Sequence, residues 1–231
     1  MDTGRLYIVS TPIGNLADIT YRAVEILKSV GKIAAEDTRR TRVLLDHYGI
    51  KTSVLSYNSY NKMKQGPKLV SAMKKGGDLA LVSDAGTPGI SDPLYHLVQS
   101  ALNEEVQLVP IPGPSAAIAG LTVSGLPMDR FSFEGFLPRK KRRTKTLQAL
   151  AEERRTVVLY ESPHRVSRTL RELSVLMGDR PAAIARELTK LHEEVIRGRL
   201  ADLADIAEGK TWKGEVTLMI GGTGSGPGDI V

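Results

Sequence analysis

Hydrophobic residues in this chain occur in short runs, and between them lie stretches whose apolar positions recur every three or four residues. Runs at Leu6–Ser10, Ile33–Ala35, Ser53–Ser56, Leu79–Ser83 and Val106–Pro110 predict strands. Ala23, Ile26, Leu27 and Val30 follow the i, i+3, i+4, i+7 spacing of a helix face, as do Leu94, Leu97, Val98 and Ala101. Strands alternating with helices predict an α/β fold on a largely parallel sheet. The pattern breaks at Ile111-Pro112-Gly113-Pro114, because prolines flanking a glycine cannot continue a ladder. A boundary placed there gives an N-terminal α/β domain over 1–113 and a C-terminal α/β domain over 114–221.

In the second part, Ala116–Leu121 predicts a helix and Phe131–Phe136 a strand. A helix after a basic run and a strand at Thr156–Tyr160 follow. Pro163 then opens a helix with Val166, Leu170 and Leu173 on one face, proline being suited to a first helical turn. Ala182–Arg186, Glu194–Arg199 and Glu215–Ile220 predict further strands, the later ones antiparallel. The Gly-rich stretch 222–231 predicts a flexible tail. No internal repeat is visible.

Composition removes several chemistries. The 231 residues include no cysteine, so disulfides, zinc–thiolate sites and thiol catalysis are excluded. No run reaches the ~18 apolar residues of a membrane span, and the chain enters its first strand without a leader, so a cytoplasmic location is expected. The net charge is +6, and its placement says more than its size. The segment 139–155, RKKRRTKTLQALAEERR, holds eight basic and two acidic residues, so it alone matches the charge of the whole chain. Such a run is either the solvated start of a helix or a patch that gains by releasing counterions from a polyanion. With few aromatics nearby, it would position a nucleic-acid backbone rather than read bases.

The common catalytic motifs fail. No segment matches GxxxxGK[ST], and the first strand leads into Ser10-Thr11-Pro12-Ile13-Gly14-Asn15 with one glycine instead of a dinucleotide fingerprint. Gly113-Pro114-Ser115-Ala116-Ala117 lacks the last glycine of a nucleophile elbow. His192-Glu193-Glu194-Val195-Ile196 ends in isoleucine where a zinc protease needs histidine, and the other histidines are scattered, so no metal site is expected.

Four polar, glycine-bearing loops remain at the carboxyl ends of strands, where open α/β sheets bind ligands. They are Ser10–Leu16, Glu36–Arg40, Ser83–Pro93 and Pro110–Ala116. The third is the richest, with two glycines, two serines, two aspartates and two prolines in eleven residues. Its end, Ser91-Asp92-Pro93, suits a helix cap. Ser83, Asp84, Ala85, Gly86, Thr87, Pro88 and Ile90 suit a ligand, since small residues expose backbone and a carboxylate can hold a hydroxyl. In the second loop, Asp37 and Arg39 either cap the following helix or pair beside a cleft.

Taken in order, STPIGNLADIT (10–20), EDTRRTR (36–42), SDAGTPGISDP (83–93), PIPGPSA (110–116), FEGFLPRK (133–140), YESPHR (160–165), RELTKLHEE (186–194) and GEVTLMI (214–220) resemble the tetrapyrrole methylase family, in its ribosomal RNA-methylating branch. Eight motifs in register span residues 5 to 220. The resemblance implies two α/β domains with the methyl donor in the cleft between them. It implies S-adenosylmethionine as cofactor, and methylation of the 2′-hydroxyl of a cytidine in small-subunit (16S) ribosomal RNA by a homodimer. Asp84, Ala85, Gly86, Thr87 and Ile90 would lie along the donor. Ser115 and Ala116 would offer backbone groups, and Tyr160, Glu187, Leu188 and Thr217 would complete an adenosine pocket. Pro12 and Gly14 would face the transferred methyl. Two departures stand out: many relatives carry a further C-terminal segment, and Leu94 replaces a glycine usual after SDP.

A ribose hydroxyl is a poor nucleophile, so a proton acceptor or charge stabiliser is useful. By loop position and residue type the candidates are Asp37, Glu187 and Lys190, with Arg39 as phosphate or oxyanion partner. RNA contacts are expected from Arg39, Arg40, Arg139, Lys140, Lys141, Arg142, Arg143 and Lys145. Two alternatives remain open: a small-molecule methyltransferase acting on a tetrapyrrole, and a non-catalytic RNA-binding protein.

Overall fold

A computed structural model describes residues 3–90 and 94–224. The chain divides into two compact units, Met1–Ser115 and Ala116–Val231. Among the described residues, no helix is long and apolar enough to cross a membrane.

The first unit holds strands β1 (Arg5–Val9), β2 (Lys32–Ala35), β3 (Val54–Ser56), β4 (Leu79–Val82) and β5 (Gln107–Ile111). They form one sheet in the order β3-β2-β4-β1-β5, every pair parallel. Alternate residues serve opposite faces. Tyr7 and Val9 of β1, Ala80 and Val82 of β4 and Ile33 of β2 pack with Leu27 of helix α1 (Tyr21–Ser29) and Leu45 of α2 (Thr38–His47). Leu6, Leu79, Leu81 and Ala34 pack on the other side against α3 (Lys62–Lys74) and α4 (Leu94–Asn103). Helices on both faces explain why these strands read as continuous apolar runs.

Pro110 lies inside β5, opposite Ile8. The sheet tolerates it because β5 is an edge strand, and its carbonyl is taken by the Arg22 guanidinium at 3.0 Å. The unit also contains a helix that apolar spacing did not predict, α3, which runs through Gly66-Pro67 without a break.

The second unit begins with α5 (Ala116–Thr122) and holds β6 (Phe131–Phe136), α6 (Arg143–Ala151), β7 (Thr156–Glu161), α7 (Val166–Met177), β8 (Pro181–Arg186), β9 (Glu194–Arg199), α8 (Leu200–Glu208) and β10 (Val216–Ile220). The sheet order is β6-β7-β10-β8-β9, with β6–β7 parallel and the other three pairs antiparallel. One face buries Val157, Leu159, Ile184, Leu218 and Ile220 under α6, α7 and α8. On the other, α5 comes close through Gly120, where a Cβ would lie 3.1 Å from Met219 Sδ and 3.2 Å from Thr217 Cγ2.

All ten predicted strands are present. The cap expected at Ser91-Asp92-Pro93 lies outside the described residues. Of the stretch expected as a loose tail, Thr223 is anchored: its amide donates to Glu153 O at 2.7 Å and its hydroxyl to Ala151 O at 3.2 Å. Residues 225–231 lie outside the described residues.

Candidate functional site

Because all five strands of the first unit run the same way, the loops leaving their carboxyl ends gather along one sheet edge. β1 and β4 are neighbours, so the loops after them meet. Thr11 N donates to Gly86 O at 2.9 Å and Gly86 N to Thr11 O at 3.0 Å, a two-bond clasp. Gly86 adopts φ 79°, which favours glycine, and a Cβ there would lie 3.4 Å from Ile13 Cγ2. Hydroxyls lock the assembly further. Ser83 donates to Gly86 O at 3.2 Å, and Thr87 donates to Pro114 O at 3.2 Å while bonding Ser10 Oγ at 3.0 Å. Gly113 allows the fourth loop in, since a Cβ there would be 3.0 Å from Ser10 Cβ.

Ser83, Gly86 and Pro88 are therefore internal, and Thr87 is half-buried. Ala85 and Ile90 are exposed, and Asp84 is half-buried. Pro12 is half-buried and Gly14 exposed in the first loop, with Ser115 and Ala116 half-buried beyond the fourth. A narrow cleft beside the clasp is lined by Thr11, Pro12, Leu16, Arg40, Ser83 and Asp84.

Asp84 ties this assembly to the second loop. Its Oδ1 accepts from Asp37 N at 2.8 Å, and its Oδ2 lies 3.8 Å from Arg40 Nε. Asp37 does both things the sequence left open. Its Oδ1 caps α2 by accepting from Arg39 N at 2.9 Å, and its carboxylate takes Arg39 Nε at 3.0 Å and Nη2 at 2.7 Å. These side-chain hydrogen bonds hold the Asp37 carboxyl well below the usual carboxylate range. Asp37 is thus ionised at neutral pH and a weak base.

In the second unit, Tyr160 packs its ring edge-on to Phe133 at 4.9 Å between centroids, and its hydroxyl accepts from Ala117 N at 3.1 Å. Thr217 and Leu188 are buried, Thr217 beneath Gly120. Glu187 adopts φ 52°, and its Oε1 accepts from Lys190 Nζ at 2.8 Å and from Glu215 N at 2.9 Å. Lys190 also reaches Glu215 Oε2 at 3.0 Å. Burial alone would lower Lys190, but its hydrogen bonds to Glu187 and Glu215 outweigh that and raise it. Burial likewise pushes Glu187 up, and the bonds from Lys190 and the Glu215 amide overcome it, leaving the carboxyl lowered. The two carboxylates thus favour the charged form of Lys190, and the cluster braces the turn over 187–190. Glu215 lies in the GEVTLMI motif just before β10, but the motif gives it no role of its own; its part appears only when the fold brings it to Lys190.

The basic segment divides. Arg139, Lys140, Lys141, Arg142 and Lys145 are exposed. Arg143, expected among the RNA contacts, is 5% exposed and turned inward. Its Nε donates to Glu172 Oε2 at 2.7 Å, its Nη2 to Thr169 Oγ1 at 2.7 Å and its Nη1 to Pro138 O at 3.3 Å. Thr169 in turn donates to the buried Glu161 at 2.6 Å, which also pairs with Arg165 at 2.6 Å. With all three nitrogens of its guanidinium engaged internally, Arg143 is a structural residue, and the expectation for it is withdrawn.

Residues 5–204 match the family model described as Tetrapyrrole (Corrin/Porphyrin) Methylases. The chain is 48% identical over 224 residues to the Ribosomal RNA small subunit methyltransferase I of Halalkalibacterium halodurans, covering 96% of this chain and 78% of that protein. It is also 48% identical, over 219 residues, to the protein of that name from Thermotoga maritima, covering 95% of this chain and 99% of that one. Among solved structures, a uroporphyrin-III C-methyltransferase from Thermus thermophilus complexed with S-adenosyl homocysteine shares the fold. Its TM-score is 0.66 at 18% identity, over 94% of this chain and 97% of that one.

Proposed function

The chain belongs to the tetrapyrrole methylase family, and from that premise we propose that it methylates the 2′-hydroxyl of a cytidine ribose in small-subunit (16S) ribosomal RNA, with S-adenosylmethionine as donor. The observation that carries this reading is near-full-length likeness to proteins named for methylating that RNA. A homodimer acting in the cytoplasm belongs to the same reading.

The loop assembly of the first unit suits the donor. Its hydroxyls are spent on internal bonds, so a ligand meets a rigid rim of small side chains at Ala85 and a carboxylate at Asp84. Such a surface admits a ribose or amino-acid portion without reorganisation. Bound there, S-adenosylmethionine supplies a methyl group already activated by its sulfonium. The protein's task is then alignment of the ribose oxygen and disposal of its proton. An oxygen that has accepted a methyl while still protonated is strongly acidic, so a weak base suffices to take that proton. The ionised carboxylate of Asp37 meets that need, and Arg39, clamped to it, offers its remaining N–H groups to phosphate. Arg40, Arg139, Lys140, Lys141, Arg142 and Lys145 hold the RNA backbone through charge.

Calorimetry with S-adenosylmethionine tests the donor site. The wild-type chain binds, and Ala85→Glu, which adds bulk and charge at an exposed position, weakens binding at least about tenfold with an unchanged circular dichroism spectrum. Absence of donor binding by the wild type would refute the enzymatic reading.

A further inference from the structure

Among the described residues of the first unit the Tyr60 ring is the most exposed, at 100% against 93% for Tyr21. It stands in the loop after β3, and β3 pairs directly with β2, whose own loop leads into α2, with Arg39 and Arg40 in its first turn. Both loops leave the carboxyl edge of the sheet, from strands about 4.8 Å apart.

The Tyr60 loop is firmly built. Asn58 Oδ1 accepts from Tyr60 N at 3.0 Å and from Asn61 N at 3.2 Å. Asn61 returns the bond, its Oδ1 accepting from Asn58 N at 2.9 Å, while its Nδ2 donates to Ser56 O at 3.0 Å. Just before it, Tyr57 is 2% exposed in the core, and its amide continues the ladder to Ala35 O at 2.8 Å. One tyrosine is an anchor, and its neighbour three residues on is held out on a rigid base. An aromatic ring has a large apolar area to gain by burial, and a flexible loop would let it fold back; this one does not.

A presented ring on the same carboxyl edge of the sheet as two largely exposed guanidiniums matches one ligand chemistry. Unpaired bases stack on tyrosine faces, and the phosphates next to them meet arginine. We infer that Tyr60 is a stacking platform for an unpaired base of the RNA substrate, with Arg39 and Arg40 on the flanking phosphates. This rests on the proposed RNA reading and adds to it the strandedness of the substrate at this edge, because a duplex keeps its base faces covered. A second copy of the chain fits less well. Self-pairing of this edge would bring Arg39, Arg40, Lys62 and Lys64 of two copies together, and like charges brought close repel.

The test uses the full chain and a fluorescein-labelled single-stranded octacytidylate, with a duplex of equal length as control, followed by anisotropy across a salt series. Tyr60→Ala weakens single-strand binding about 5- to 150-fold while duplex binding and the salt slope stay unchanged, since every cation facing a phosphate is still in place. Tyr60→Phe and Tyr60→Trp bind within about threefold of wild type. The emission added in Tyr60→Trp is quenched by RNA, against a background from the buried Trp212. Wild-type affinity in Tyr60→Ala overturns the inference, as does a loss in Tyr60→Phe equal to that in Tyr60→Ala, which would assign the effect to the hydroxyl. A changed oligomeric state of Tyr60→Ala by sedimentation at unchanged RNA affinity also overturns it, placing Tyr60 between subunits. If the wild type binds neither RNA, the RNA reading itself fails.

Discussion

Arg142 and Arg143 are adjacent in one cationic run and have opposite fates. Arg142 is exposed, whereas Arg143 begins α6 with its guanidinium among Glu172, Thr169 and the Pro138 carbonyl. No property of the run distinguishes them; the difference lies in which one the helix turns toward α7, a matter of tertiary register. Their variants should separate cleanly. Arg143→Gln should lower the unfolding free energy by about 2–3 kcal/mol. That is below the full cost of orphaning a buried charge, because Glu172 keeps Arg168 at 2.8 Å. Its RNA salt slope should match the wild type. Neutralising Arg139, Lys140, Lys141 and Arg142 together should do the reverse. The slope of log K against log salt should flatten by nearly one unit for each phosphate left without its cation, with melting temperature and donor affinity unchanged. An unchanged slope in the fourfold variant would return the run to a solvated helix start. Asp37 shows how far single residues were legible. Both readings of the sequence, cap and arginine partner, are realised at once through its two oxygens.

At the scale of elements, the strands were readable because each is a short apolar run bounded by turn residues. Two helices were missed for different reasons. α8 carries Leu200, Leu203, Ala204 and Ala207 at regular helical spacing, so its signal was present, masked by the strand pattern running directly into it. α3 contains Gly66-Pro67, a pair that normally punctuates a chain. Burial of Leu69, Val70 and Met73 against the sheet holds it together, a tertiary override of local preference. That conflict predicts a stabilising change. Pro67→Ala restores an amide to the helix and relieves the ring against the preceding turn, partly offset by a freer unfolded chain. Denaturant titration should show a gain of about 1–2 kcal/mol with an unchanged m-value; a loss would mean the proline's conformation is needed in α3. Pro110 is the complementary case, a proline the ladder accommodates because its strand is at the edge.

For the whole molecule, the fold class followed from alternation of strands and helices, and the family from eight loop motifs in register. The chemistry was less legible. The loops that looked richest in ligand groups spend much of their polarity on one another, as at Ser83, Thr87 and Ser10, and only three-dimensional bonding separates a bracing hydroxyl from an available one. Lys190 reads as a candidate base by position, and its two carboxylate neighbours favour its charged form. The measurement that bears most directly on the proposed activity is methyl transfer from labelled S-adenosylmethionine to small ribosomal subunits, mapped by alkaline hydrolysis, to which a 2′-O-methylated nucleotide is resistant. Incorporation at a single cytidine of the 16S RNA, in an alkali-resistant position, is the predicted result. Label absent from that RNA, or found instead on a tetrapyrrole offered in the same reaction, would contradict it.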